Sequence, residues 1–404
     1  LPQSENKEEE EKMELLNDLK TMLKKNIREY GMFIALFAIM LVFSILSDGV
    51  FMSPRNISNL INSMGYIAVL AVGMTLILII KHIDLSVGYV AGFLGAVAAM
   101  LMTSWDLPVL LVIPIILFLG ILIGLFNGFM VAKLQLPAFV VSLAGMLIFR
   151  GALLQVTAKT GTIIIPNKTF NNIGVGYIPD PVKLIPGFHT LTLVIGALFI
   201  VFFILSQFKN RKNKLKYQFE VVPIKIFYIK LVFVSALIAY VTYILSDYNG
   251  LSWTVVIVLI VVALYHFLTT KTVLGRHIYA VGGNDEAAKL SGIDVKKVTL
   301  FVFSSMSMLA ALSGILYTAR LQSATVTAGT GFELDAIASA YVGGVSAAGG
   351  VGKVTGSIIG ALVMASLTSG MNLLNVGASY QYIIRGAILI LAVVFDVQTR
   401  NKAK

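Results

Sequence analysis

Apolar stretches of roughly 20 residues, the length that carries an α-helix across a bilayer, recur along this chain between short polar connections. Lipid offers no hydrogen-bond partner to the backbone, so each stretch must satisfy its own amides as a helix. The pattern therefore predicts an all-α fold, a polytopic transmembrane helical bundle. The composition leaves little alternative: 57% of residues are hydrophobic and 13% charged, against about 25% charged in an average soluble domain. No soluble fold of 404 residues could hide that much apolar surface.

Eleven spans are expected: Tyr30 to Leu46, Ile57 to Ile80, Leu85 to Thr103, Val109 to Ala132, Ala138 to Val156, Thr190 to Phe208, Ile224 to Leu245, Trp253 to Leu268, Val298 to Ala319, Val354 to Leu374 and Tyr380 to Phe395. Lys and Arg cluster in the connections, and the positive-inside bias places "KNRKNKLK" after Phe208 and the Lys271 to Lys297 connection in the cytosol. An odd count would leave the basic C-terminal "TRNKAK" outside. A twelfth crossing restores it, and the short apolar stretch Leu334 to Val345 is the candidate, as a short or broken span. Its inner end then carries the Gly-rich turn of Gly343, Gly344, Gly349, Gly350 and Gly352. Irregular backbone at that depth has to be covered by protein or line a water-filled cavity. Gly88 with Gly92, and Gly352 with Gly356 and Gly360, have the small-xxx-small spacing that lets helices pack closely.

The domain plan that results is a cytosolic tail over 1–29, a transmembrane domain over 30–398 with a cytosolic connection at 270–298, and a cytosolic tail over 399–404. The start has no apolar core of signal-peptide type and reads as uncleaved, with the acidic run Glu8 to Glu11 as a solvated tail. The net charge of +11 reads as topology and implies no nucleic acid. With no cysteine there is no disulfide framework, cysteine-bound zinc or thiol chemistry. The four histidines, His82, His189, His266 and His277, are scattered, and no HExxH occurs, so no metal site is expected. The nearest approach to a phosphate-cradling loop, "GGVSAAGGVGKVT", fails because Val354 follows Lys353 where Ser or Thr is needed.

The connection Thr270 to Val298 contains a short helical pattern, Asp285 to Leu290, with Asn284 as its N-cap and Gly292 near its end. It is either a docking helix for a motor subunit, with Ala287 and Ala288 permitting close approach and Glu286 a polar contact, or an ordinary loop helix. Ionisable residues within spans carry a cost of about 2.5 to 3.5 kcal/mol at the helix centre. Arg150 and Arg385 are the deepest, and Asp84 sits between two spans. The arginines either line a pathway or pair with Asp84, Glu333 or Asp335. Asn127, Asn372, Asn375 and Gln381 offer amides either to a polar solute or to neighbouring helices.

Four blocks, "VGMTLILIIKHIDLSVG", "LGRHIYAVGGNDEAAKLSGIDV", "ARLQSATVTAGTGFELDAIASAYVGGVSAAGGVGKVTGSIIGAL" and "GMNLLNV", resemble in order the permease subunits of bacterial ATP-binding-cassette sugar importers of the ribose, xylose and multiple-monosaccharide type. The resemblance covers Leu60 to Phe395 apart from Thr160 to Thr269, and the pair of spans within Thr190 to Leu245 is additional to the plan of the shorter ribose permeases. It implies a monosaccharide permease of the bacterial cytoplasmic membrane, working by alternating access with both termini in the cytosol. It also implies a second permease copy, a cytosolic ATPase that holds ATP and Mg, and an extracytoplasmic sugar-binding protein. No cofactor is expected in this chain. Glu286, Ala287, Ala288 and Gly292 resemble the family's docking motif, and the coupling segment is taken to include Gly275, Arg276, Gly282 and Asn284. Asp84, Asn127, Arg150, Asn372, Asn375, Gln381 and Arg385 are the pathway candidates. A secondary transporter of a small polar solute is the rival reading, disfavoured because acidic residues are nearly absent from the spans. An intramembrane enzyme lacks a nucleophile and base.

Overall fold

The computed structural model describes residues 27–181, 184–219 and 221–401. The Glu8 to Glu11 run, Glu220 and Lys402 lie outside the described residues. The chain resolves into two compact units, one built on residues 178–251 and the other on most of the remainder.

The larger unit contains α1 (Ile27–Leu46), α2 (Pro54–Ile79), α3 (Val87–Thr103), α4 (Val109–Ala132) and α5 (Ala138–Thr157). A short strand β1 (Thr162–Ile164) and α6 (Lys168–Val175) follow, then α9 (Trp253–Lys271), α10 (Val273–Gly283), α11 (Asp285–Leu290) and α12 (Val295–Leu321). The unit closes with β2 (Ser323–Thr325), α13 (Phe332–Val342), α14 (Val354–Leu373) and α15 (Ala378–Asn401). Between β1/α6 and α9 the smaller unit contributes α7 (Thr190–Lys216) and α8 (Ile224–Tyr248).

Among the described residues nine helices are long and apolar enough to cross a membrane, and Gly31–Leu46 and α3 are shorter apolar helices. This is the polytopic bundle that the hydropathy predicts. The expected short span is α13, and its 11 residues rise only about 16 Å, half the hydrocarbon thickness. A non-helical segment lies between β2 and α13.

Small residues decide which helices sit at the centre. A Cβ on Gly120 or Gly124 of α4 would strike the backbone of α12 at Ser307 and Phe303, and one on Gly95 of α3 would strike Thr318 and Gly314. These approaches bring α3, α4 and α12 backbone to backbone, the close packing that replaces hydrophobic drive inside lipid. Gly88 and Gly92 serve differently from simple helix pairing, because the space of their missing side chains is filled by the carbonyls of Gly329 and Ala328 in the non-helical segment. Gly356 and Gly360 receive Gly343 and Ser339 of α13. By contrast α15 turns Tyr380, Tyr382, Ile383, Ile390 and Leu391 outward, as a lipid-facing helix does.

In the smaller unit α7 and α8 form an antiparallel hairpin in which Gly196 lies against Thr242. The basic end of α7 is fastened by Arg211, which donates to Val222 O at 2.6 Å and lies over the Phe227 ring.

Candidate functional site

Two groups of the singled-out residues come together, at one end of the larger unit and partway through it. The first is a plate of backbone around α10 and α11. Thr272 caps α10 by accepting from Gly275 N at 3.1 Å, and Gly275 is packed so closely on the Leu268 and Thr269 carbonyls that any Cβ would collide. At the other end of α10, Gly282 abuts Ile79 O and Gly350 N. Three hydrogen bonds seal the junction: Gly350 N to Ile79 O at 2.8 Å, Lys81 Nζ to Gly283 O at 3.1 Å, and Tyr279 Oη to Gly352 O at 2.6 Å. The Gly-rich turn is therefore folded onto protein through Gly343, Gly349, Gly350 and Gly352, and Gly344, Gly349 and Gly350 adopt the left-handed φ that only glycine takes without strain.

Asn284 leaves α10 and caps α11 by accepting from Ala287 N at 3.0 Å, and Gly292 at φ +83° turns the chain away. The six residues of α11 put Asp285, Glu286, Ala287 and Lys289 on the surface, where Arg276 also lies. Ala288 is a correction to the expected docking face: it is 4% exposed, packed into the protein's own core. Leu290, which carries no functional signal in sequence, is 90% exposed. Beside α11 a groove of about 870 Å³ is lined by Lys81, His82, Gln135, Phe139, Glu286 and Lys296, among others. Burial holds the His82 imidazole below its ordinary pKa, with Asp285 opposing, so the ring is neutral near pH 7.

Asp84 lies in the loop between α2 and α3, fully buried. Its Oδ1 accepts from Ser86 N at 2.9 Å and Ser86 Oγ at 2.6 Å, and Asn127 Nδ2 reaches the same Ser86 Oγ at 3.5 Å. Ser86 thus joins two pathway candidates that are distant in sequence, although no sequence signal marks it. Asp84 Oδ2 has no hydrogen-bond partner among the described residues.

The second group surrounds α13. Arg385 Nη1 of α15 lies 3.4 Å from both carboxylate oxygens of Asp335, one of the three partners that the sequence offered. A cavity of about 130 Å³ opens beside the pair, bounded by Thr330, Leu334 and Tyr382. Glu333, one residue pair away, is buried against Gly88 with Oε2 lacking a partner among the described residues. Arg150 makes no ion pair among the described residues; its guanidinium lies 5.8 Å from the centre of the Tyr89 ring.

Asn372, Asn375 and Gln381 are brought together, but as one turn. Gln381 Nε2 donates to Asn372 Oδ1 at 2.8 Å and to Val376 O at 2.9 Å, and Asn375 holds φ +54° between α14 and α15. The Gln381 amide nitrogen and the Asn372 amide oxygen are thereby engaged within that turn. Asp396 escaped the sequence reading altogether: its carboxylate accepts from Ser346 Oγ at 3.2 Å and Ala347 N at 3.1 Å, fastening α15 to the Gly-rich turn.

Residues 56–393 match the family described as "branched-chain amino acid transport system / permease component". The xylose transport system permease protein of Haemophilus influenzae is 40% identical over 378 residues, covering 93% of this chain and 98% of that protein. Its counterpart in Escherichia coli K12 is 38% identical over 381 residues, 94% of each chain. The ribose import permease protein of Haemophilus influenzae is 35% identical over 371 residues, covering 91% of this chain and 93% of that protein. No solved structure matches the chain.

Proposed function

The chain belongs to the family of branched-chain amino acid transport system permease components, and we propose that within it this protein is the membrane-spanning subunit of an ATP-binding-cassette importer for a monosaccharide. The observation that carries this reading is identity of 38–40% to xylose permeases across more than nine-tenths of the chain. The extra pair α7 and α8 falls inside that alignment, so it is shared length rather than an insertion peculiar to this chain.

In the proposed assembly two copies of the chain stand side by side, a cytosolic ATPase carries ATP and Mg, and an extracytoplasmic protein delivers the sugar. The Gly-rich turn, α10 and α11 face the cytosol, as do both termini, and β1, β2 and α6 face outward. The basic end of α7 and the basic residues around α10 and α11 support that orientation.

The geometry also supports a route for coupling. The surface of Glu286, Ala287 and Leu290 takes the push of the ATPase. Through Gly282, Tyr279 and Gly350, α10 is bonded to the end of α2 and to the turn, from which α13 and α14 extend side by side. Displacement of α11 is thereby delivered to α13 and to the Asp335–Arg385 pair, which sits where the crossing ceases to be helical. Bistable packing of this kind converts a small shift into the alternation of outward and inward openings. The chain performs no covalent chemistry in this scheme.

The test is reconstitution of the complete complex with a binding protein and ATPase from the same operon, reading [14C]-D-xylose and [14C]-D-ribose uptake into proteoliposomes. ATP-dependent uptake of a monosaccharide is expected; uptake driven by an ion gradient without ATPase would defeat the reading in favour of a secondary transporter.

A further inference from the structure

The segment that precedes α13 is not helical, and it is rich in hydroxyls: "SATVTAGTG" from Ser323 to Gly331. Its depth follows from its neighbours. Gly95 of α3 lies level with Gly314 and Thr318 of α12, already inside the end of that helix. Gly88, which receives Gly329, is two turns earlier in α3, roughly 10 Å further into the helical layer. Phe332, at the start of α13, packs tilted against Tyr66 and edge-on to Tyr317 at centroid distances of 4.8 and 4.9 Å.

At that depth the segment is not covered. Thr327 and Thr330 are exposed, while Ala328 and Gly329 between them are buried against α3. The hydroxyls form a connected string: Thr325 Oγ1 lies 3.3 Å from Thr327 Oγ1, Thr330 Oγ1 donates to Thr327 O at 2.9 Å, and Tyr89 Oη lies 3.5 Å from Thr330 Oγ1. Arg150, exposed in the second half of α5, continues the string over the Tyr89 ring. Lipid does not tolerate uncovered irregular backbone or an exposed guanidinium at such depth, so the surface they share faces water or a polar solute.

We infer that Thr327 and Thr330, with Tyr89 and Arg150, form a polyol-binding step of the translocation pathway, at which the hydroxyls of the passing sugar exchange hydrogen bonds with threonine hydroxyls. The inference rests on the sugar-importer reading above and joins Arg150, a pathway candidate from its depth, to Thr327, Thr330 and Tyr89, which neither hydropathy nor spacing had marked. A threonine hydroxyl both donates and accepts, so a short row of them matches the mixed donors and acceptors of a pentose or hexose without holding it by charge. That suits a step that must release its occupant. The row sits at the head of α13, whose other end is bonded into the α10 plate, so the same motion that drives coupling alters it.

The chain has no cysteine, so a single cysteine introduced into it is the only thiol that this subunit can present, and labelling is read on the permease band. Thr327→Cys and Thr330→Cys are compared with Leu391→Cys, an outward apolar position on α15, using a charged methanethiosulfonate reagent on the reconstituted complex. Because only a hydrated thiolate reacts, the two threonine positions are expected to label about ten-fold faster or more than position 391. Rates no faster than at 391 would place the segment in lipid or protein and overturn the inference. The second arm measures uptake of D-xylose against its 2-, 3- and 4-deoxy counterparts. Losing one hydroxyl partner in Thr330→Val should shrink the preference for D-xylose over at least one deoxy sugar by about two- to ten-fold, and Thr330→Ser should restore it. The binding protein's own preference cancels in that ratio. Labelling without any change in the ratios would also overturn it, leaving a wet surface that does not bind sugar. A complex that, before substitution, shows no ATP-dependent uptake of either D-xylose or D-ribose overturns the sugar-importer reading itself, which separates the two failures.

Discussion

The Tyr279 hydroxyl donates a 2.6 Å hydrogen bond to the carbonyl of Gly352, tying α10 to the turn from which α14 rises. A neutral hydrogen bond of this kind contributes about 1 kcal/mol, small against the stability of a bundle but well placed to affect how motion passes from α10 to the turn. Tyr279→Phe should leave insertion, yield and ATPase copurification unchanged while lowering the sugar moved per ATP hydrolysed by about two- to five-fold. The ratio of uptake to phosphate release in proteoliposomes measures it; an unchanged ratio would remove Tyr279 from the coupling route.

Gly282 and Gly283 form a matched pair for testing the close approach in the same plate. A Cβ at Gly282 meets the Ile79 carbonyl and Gly350 N, whereas a Cβ at Gly283 meets nothing within 4 Å. Gly282→Ala should therefore lower the melting temperature of the purified permease and its uptake, by an overpacking cost of about 1–3 kcal/mol. Gly283→Ala should be nearly silent. Equal behaviour of the two variants would show that the plate yields freely at this point.

Arg385 and Asp335 pair across α15 and α13, each with about a quarter of its side chain accessible (25% for both). Removing one partner leaves the other partly desolvated and alone, which is more damaging than removing both. Arg385→Ala and Asp335→Ala should each reduce uptake strongly, and the exchange Arg385→Asp with Asp335→Arg should recover part of it at equal expression. A double exchange no better than the single variants would mean that one of the two residues acts on its own.

The absence of cysteine also makes topology directly readable. Single cysteines at Lys212 and Asn284 should label from the cytosolic side. For the opposite side the exposed Lys168, at the start of α6, is the suitable position. Labelling of position 168 from the cytosol would invert the proposed orientation and with it the assignment of the docking surface.

The spans were legible because hydropathy and span length are set by the bilayer itself, and α4, Val109–Ala132, was expected at the bounds the structure gives. α11 was legible to the residue because Asn284 and Gly292 are chemically distinct start and stop signals. The pairing of Arg385 with one of three acids could be narrowed by depth but not chosen, because the choice depends on how α13 and α15 cross. What stayed hidden shares one cause: contacts made by backbone carry no residue signature. Nothing in the letters around Asp396 shows that it will accept from Ala347 N. Likewise Gly88 and Gly92 announce a close approach without saying that the neighbour is an unwound segment rather than a helix. The bond from Gln381 to Asn372 was hidden for the same reason, since it depends on a tight turn that is invisible until the turn is built.

The proposed docking surface gives the sharpest contrast between letters and structure, since a helix of six residues is too short for periodicity to reveal which side faces in. Ala287 and Ala288 are adjacent and identical, yet Ala288 is 4% exposed within the core while Ala287 lies on the surface beside Leu290, which is 90% exposed. Ala288→Arg would force a charge into the protein's own interior and should abolish folding and yield, so its loss of function says nothing about a partner. Ala287→Arg and Leu290→Glu change only the surface, where most substitutions are tolerated in an isolated protein. If α11 seats in the ATPase, these two variants should fold and insert at wild-type yield, with unchanged melting temperature, and lose ATPase copurification and sugar-stimulated ATP hydrolysis by about ten-fold or more, because an unpaired charge in an interface core is poorly tolerated. Normal pull-down of the ATPase by both variants would show that the partner docks elsewhere, with the 870 Å³ groove beside α11 the next surface to test through Lys296→Glu and Gln135→Arg.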